Sequence, residues 1–317
     1  MSERNDRIED TIRRTLGTAI TDALSDGDVE EVQVNPDMSI HVVYGSKGSV
    51  KLPISAQPSN VETFLRAVGT QSNLPISSDR PVLATTLPSA LGKCRLQGYL
   101  PPLTEAPSFI LRKPPSRVIE LDEYVNYGSI TEEGVKTLQD LIKARANIMV
   151  AGPTASGKTT LCNAILSEVV KQFPDERIVV LEDTRELHIL HENQLRMQTT
   201  TEHTMRHLVK FSLRSTPKRI VVGEVRDEAA RDLLDAWITG HPGGCGTVHG
   251  EDAQRALGRL AALAQEATPG INQRLMVSQA VQAIVFIQRE GNKRIVSTIA
   301  RVLGLEDDTF HLEDLPR

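Results

Sequence analysis

The ten residues Ala151-Gly152-Pro153-Thr154-Ala155-Ser156-Gly157-Lys158-Thr159-Thr160 constrain this chain more than any other stretch. They match G-x-x-x-x-G-K-[ST] at each fixed position. Asn147-Ile148-Met149-Val150 precedes them, a short apolar run with the character of a buried strand. A helical pattern beginning near Lys158 follows, with Leu161, Ile165 and Val169 on one face. Strand, glycine turn and helix in that order make a phosphate-binding P-loop. Gly152 and Gly157 open backbone conformations closed to other residues, so successive N–H groups can turn toward an anion. The helix start adds its positive end. Lys158 is placed to neutralise β- and γ-phosphates, and the Thr159 hydroxyl to ligate Mg²⁺. Gly152, Pro153, Thr154, Ala155, Ser156, Gly157, Lys158, Thr159 and Thr160 are therefore the expected nucleotide-binding residues, with ATP and Mg²⁺ as ligands.

The 317 residues suffice for two domains with real cores. A net charge of −5 and 3% aromatics, with Trp237 the one tryptophan, argue against direct nucleic-acid binding. Cys94, Cys162 and Cys245 are far apart in sequence, which speaks against a disulfide framework or a zinc site and for a reducing compartment. The charged N-terminus lacks a signal-peptide core, and no apolar run approaches a membrane span. The expected location is cytoplasmic.

Ile8, Ile12, Leu16, Ile20 and Leu24 fall four apart and predict one amphipathic helix over about 6–25. Strands are expected at 29–34, 40–44 and 50–54, a helix at 59–73, and strands at 81–87, 94–100 and 108–112. Residues 1–112 thus read as a small α+β domain, and Lys113-Pro114-Pro115-Ser116 opens a stiff linker over 113–121. Strand–helix alternation over 122–317 predicts an α/β domain with a parallel-type sheet. Its strands are expected at 147–150, 178–181, 219–224, 246–249, 283–288 and 294–302. Its helices are expected at 131–145, 204–213, 228–239, 252–265 and 272–281.

A nucleotide hydrolase needs carboxylates at the carboxyl ends of such strands, to hold Mg²⁺ and to orient the attacking water. Glu182, Asp183 and Glu224 occupy those positions. A single carboxylate there equally well caps a helix; two after a P-loop favour function. Glu182 is the expected water-activating group, with Glu224 organising Mg²⁺ and the water. His249 follows Gly-Gly-Cys-Gly-Thr-Val and is placed to sense the γ-phosphate. His188, His191, His203 and His207 read as solvated or capping residues.

Gly-Pro-Thr-Ala-Ser-Gly-Lys-Thr, Leu-Glu-Asp-Thr-Arg-Glu-Leu, Gly-Glu-Val-Arg-Asp and Gly-Thr-Val-His occur in that order. This set resembles the Walker A, Asp box, Walker B and His box of the secretion ATPases, most closely the TrbB-like traffic ATPases of type IV secretion and conjugal transfer. The resemblance is strong over the C-terminal domain; over the N-terminal one it rests on Val-Asn-Pro-Asp and arginines near the linker. It implies a RecA-like P-loop NTPase domain in a homohexameric ring. The ring would work with other apparatus proteins, peripheral to the cytoplasmic face of the inner membrane. It would couple ATP hydrolysis to apparatus assembly or substrate transfer. Two family arginines that reach the nucleotide map onto Arg95 and Arg112, and Arg80 is a weaker match. The type II secretion branch often carries a tetracysteine motif and a larger N-terminal region, and this sequence has neither. A type II secretion or pilus motor, and a nucleotide-gated scaffold with little turnover, are the competing readings.

Overall fold

Gly17 breaks the first helix. Its φ of 82° lies outside the helical region, so α1 (Ser2–Leu16) ends and α2 (Thr18–Ser25) begins around it. The single helix expected over 6–25 is thus two. Ile12, Leu16 and Ile20 are buried as their spacing requires. The computed structural model describes residues 2–88, 91–114, 117–200, 202–291 and 293–317, for residues 2–8 the backbone alone. The Ile8 side chain of the expected stripe, and Pro115 and Ser116 of the expected linker, lie outside this description.

The chain divides into two units, Met1–Ser116 and Arg117–Arg317. In the first, β1 (Val29–Val34), β2 (Ser39–Tyr44) and β3 (Gly48–Ser55) precede α3 (Pro58–Gln71), and β4 (Val82–Thr86), β5 (Arg95–Tyr99) and β6 (Ser108–Arg112) follow it. They form one antiparallel sheet in the order β3-β2-β1-β6-β5-β4. Period-2 patterning decides which face is covered. Leu96 and Gly98 of β5 and Phe109 and Leu111 of β6 are buried, and α3 lays Phe64, Leu65 and Val68 among the same core residues. The Phe64 and Phe109 rings stand 4.8 Å apart.

The second unit begins with α4 (Leu121–Asn126), α5 (Glu132–Lys143), β7 (Ile148–Gly152), α6 (Lys158–Gln172), β8 (Ile178–Glu182) and β9 (Gln194–Gln198). Next come α7 (Met205–Ser212), β10 (Arg219–Val222), α8 (Ala229–Ile238), β11 (Cys245–His249), α9 (Ala253–Glu266) and α10 (Arg274–Ala280). The chain closes with β12 (Ala283–Glu290), β13 (Lys293–Glu306) and β14 (Thr309–Asp314). Residues 117–121, assigned from sequence to the linker, pack with this unit. Ile119 touches its core, Leu121 is buried, and Glu120 pairs with Lys171 and accepts from Ser167 Oγ.

The sheet order is β14-β13-β12-β7-β11-β10-β8-β9; β12 through β9 pair in parallel and β12-β13-β14 antiparallel. Residues on β7, β8 and β10 are buried throughout, because helices cover both faces. One core holds α4, α5 and α6 residues such as Leu138 and Leu161; the other holds α7 to α10 residues such as Trp237 and Leu257. Trp237 Nε1 donates to the Ile220 carbonyl at 3.2 Å. A Cβ on Gly244 would meet Trp237 Nε1 at 2.2 Å and the Ile220 carbonyl oxygen at 2.7 Å. Gly244→Ala is therefore expected to destabilise the second unit by about 1–3 kcal/mol, read as a lower denaturation midpoint at constant slope.

Candidate nucleotide site

The P-loop leaves the end of β7 and enters α6 through Gly157, whose φ of 99° and ψ of 16° are left-handed. The β12–β13 hairpin holds both motif glycines closely. A Cβ on Gly152 would lie 2.1 Å from the Ile287 carbonyl oxygen, and one on Gly157 would lie 2.9 Å from Arg294 Cδ. At Gly152 backbone is thus packed where any other residue would place a side chain, and at Gly157 the Arg294 side chain lies there. Gly152→Ala is expected to distort the loop and abolish nucleotide binding; a fluorescent-nucleotide titration checks this.

Lys158 is buried, 7% exposed. Its Nζ donates to the carbonyls of Gly152 at 3.0 Å and Pro153 at 2.7 Å, and lies 3.3 Å from His249 Nδ1. β11 runs beside β7 with His249 opposite Gly152, so strand register brings the two together. Burial, then the neighbouring Lys158 charge, hold the His249 imidazole below its ordinary range. It is neutral at pH 7, and its Nδ1 can accept from Lys158.

His249 Nε2 is 2.8 Å from Glu224 Oε1, and Glu224 Oε2 pairs closely with Arg226. Glu224 Oε1 is buried and has no well-aligned hydrogen-bond donor. Ser156 Oγ, inside the loop, is likewise buried without a partner. An unpartnered buried hydroxyl inside a glycine cradle, with a carboxylate nearby, fits a phosphate group with a hard cation. The hydroxyl of Thr159 and the carboxylate of Glu224 supply the donor chemistry Mg²⁺ takes.

Glu182 is not part of this network. β8 is three places from β7 in the sheet, so the strand ends are about 14 Å apart at ~4.8 Å per spacing. The carboxylate is 1% exposed. Its Oε1 accepts from the N–H groups of Glu186 at 2.8 Å and Leu187 at 2.7 Å, and its Oε2 from Arg196 Nη2 at 2.7 Å. Arg196 escaped the sequence reading because β9 did. The strict alternation Gln194-Leu195-Arg196-Met197-Gln198 was the available signal. Leu195 and Met197 face the core while Arg196 turns toward Glu182.

Arg95 and Arg112 lie in the first unit, opposite each other in the β5–β6 register, with Glu31 opposite Arg112 on β1. His207 accepts from the Thr204 N–H at 3.2 Å and caps α7. Cys162 and Cys245, remote in sequence, meet in the core with sulfurs 3.3 Å apart as free thiols. The hydrogen bond between them, then burial, push the Cys162 thiol well up. Among the described residues no helix is long and apolar enough to cross a membrane.

A P-loop at the end of a central parallel strand, with acidic and histidine side chains on the neighbouring strand ends, defines a RecA-like P-loop nucleotide-binding protein. The family described as Type II/IV secretion system protein matches residues 15–297, and this chain belongs to it, in the TrbB-like branch. The conjugal transfer protein TrbB of Rhizobium radiobacter is 37% identical over 307 residues, 97% of this chain and 94% of that protein. Protein VirB11 of Agrobacterium fabrum (strain C58 / ATCC 33970) is 28% identical, covering 88% of this chain and 90% of that one. The crystal structure of the pilus retraction motor PilT with bound ADP superposes with a TM-score of 0.62 at 18% identity, covering 94% of this chain and 82% of that one, a likeness of fold.

Proposed function

We propose that this chain is the Mg²⁺-dependent ATPase, converting ATP and water to ADP and phosphate, that powers a conjugal-transfer or type IV secretion apparatus as a homohexamer. The observation that carries the reading is the chain of contacts Lys158–His249–Glu224, which joins three separately recognised motifs around one loop. Lys158 leaves its two loop carbonyls for the β- and γ-phosphates, which offer charge where the carbonyls offer only dipoles. Thr159 and Glu224 would hold Mg²⁺, which when bound neutralises charge on the phosphate oxygens. His249 reads the γ-phosphate from its place beside Lys158, and Glu182 orients the attacking water. Arg95 and Arg112 add positive charge to the transferring phosphoryl group. The family and the TrbB and VirB11 relatives support work alongside other apparatus proteins; the place of that work in this reading is the cytoplasmic face of the inner membrane.

ATPase rate measured against protein concentration, together with particle mass, tests the motor. Turnover should rise as particles of six chains form. A folded protein that binds ATP with no turnover at any concentration would make it a nucleotide-gated scaffold instead. His249→Ala should retain ADP affinity and lose discrimination between ADP and ATP; unchanged discrimination in a titration would return His249 to a structural role.

A further inference from the structure

Arg196 belongs to none of the motifs, yet its single Nη2 ties both ends of the loop that follows β8. It donates to Glu182 Oε2 at 2.7 Å and to the Leu187 carbonyl at 2.7 Å. Leu187, 1% exposed, anchors the far end of that loop in the core, and its N–H returns to Glu182 Oε1. Gln198, two residues along the same edge strand, donates to the Asp183 carbonyl at 3.1 Å. β9 therefore grips the Asp-box segment from outside, with Arg196 placed beside Val180 by the parallel register.

A carboxylate has about four acceptor positions, two on each oxygen. Glu182 Oε1 uses both of its own on backbone N–H groups, and Oε2 uses one on Arg196. One acceptor position remains, on the oxygen that Arg196 holds. We infer that Arg196 is a positioning residue of the hydrolytic reaction: by fixing Glu182 Oε2 and closing the 182–187 loop, it aims the remaining lone pair at the attacking water. It acts through Glu182 and Leu187, the groups it holds. This inference rests on the proposed role of Glu182. A buried ion pair that served stability alone would leave catalysis unmoved when replaced in a folded protein.

The test uses the full chain, with wild type, Glu182→Gln, Arg196→Met, Arg196→Lys and the Glu182→Gln/Arg196→Met double variant, each checked for thermal unfolding and nucleotide affinity. Arg196→Met should lower kcat about 10- to 100-fold while KM and ATP affinity stay within about twofold, since misaiming costs the chemical step and not binding. Arg196→Lys should recover most of the loss, because one ammonium can donate to both oxygens that Nη2 serves. In the Glu182→Gln background, Arg196→Met should have no further effect. If Arg196→Met does not fold, Arg196→Gln, which keeps donors without charge, carries the same comparisons. Normal kcat, a loss confined to KM, or an independent further loss on top of Glu182→Gln would overturn the inference. Wild-type turnover with impaired Glu182→Gln but normal Arg196→Met would sink the positioning role alone. Normal turnover of Glu182→Gln would sink the proposed role of Glu182 together with it.

Discussion

Lys158→Ala is expected to reduce ATP turnover to background, a fall of at least about 10²–10³-fold, the effect of removing one preorganised donor from developing charge. The ammonium makes the expected loss larger than for a neutral donor. The substitution also has a structural side. Lys158 is buried and holds the Gly152 and Pro153 carbonyls, so its removal leaves two loop oxygens without that donor. Thermal unfolding measured beside turnover separates the two effects. Lys158→Met, which keeps the buried stem, should lose turnover equally while unfolding nearer to wild type. Wild-type kcat in either folded variant would remove the ATPase assignment.

Arg95→Ala or Arg112→Ala should lower kcat at least about tenfold in assembled protein, and the two together by as much as roughly 10³–10⁵, the scale of an arginine acting on a transferring phosphoryl group. Cross-strand register supports this reading. The row Arg95–Arg112–Glu31 sets two guanidinium-bearing residues opposite one another. Like charges directly opposite cost stability in a sheet. An anionic ligand would offset that cost, and an exposed ion pair to a surface carboxylate would contribute only about 0–1 kcal/mol. Residues 117–317 alone should accordingly bind ATP and hydrolyse it poorly. Full activity of that piece at high dilution would refute a catalytic role for both arginines.

Most elements of both units were legible in the sequence, because the signals for them are local. β1 and β6 begin and end at the expected residues, and the other expected strands and helices are found with ends displaced by a few residues. Continuous apolar runs marked β7, β8 and β10, and the P-loop stood complete in ten residues. Three elements were not read: α4, β9 and β14. Each spans only five or six residues; α4 is too short for a helical period, while the alternation over 194–198 does mark β9. Gly17 was passed over inside a sustained four-residue spacing, and its positive φ divides the helix.

By itself the sequence determined the candidate residues: Lys158, Thr159, Glu182, Glu224 and His249 are each named by a motif with its own physical reason. What only the tertiary structure decided was which of them meet. Strand order sets β11 between β7 and β10, and so places His249 between Lys158 and Glu224. The same order carries Glu182 two strands beyond β11 and gives it to Arg196, 14 positions along the chain on the edge strand β9. It also brings Cys162 and Cys245 to 3.3 Å across a separation of 83 residues. Spacing along a chain governs only the contacts made within one turn, helix or hairpin. Contacts between strands depend on the order in which the sheet closes, and that order is settled by burying both faces of the whole sheet at once.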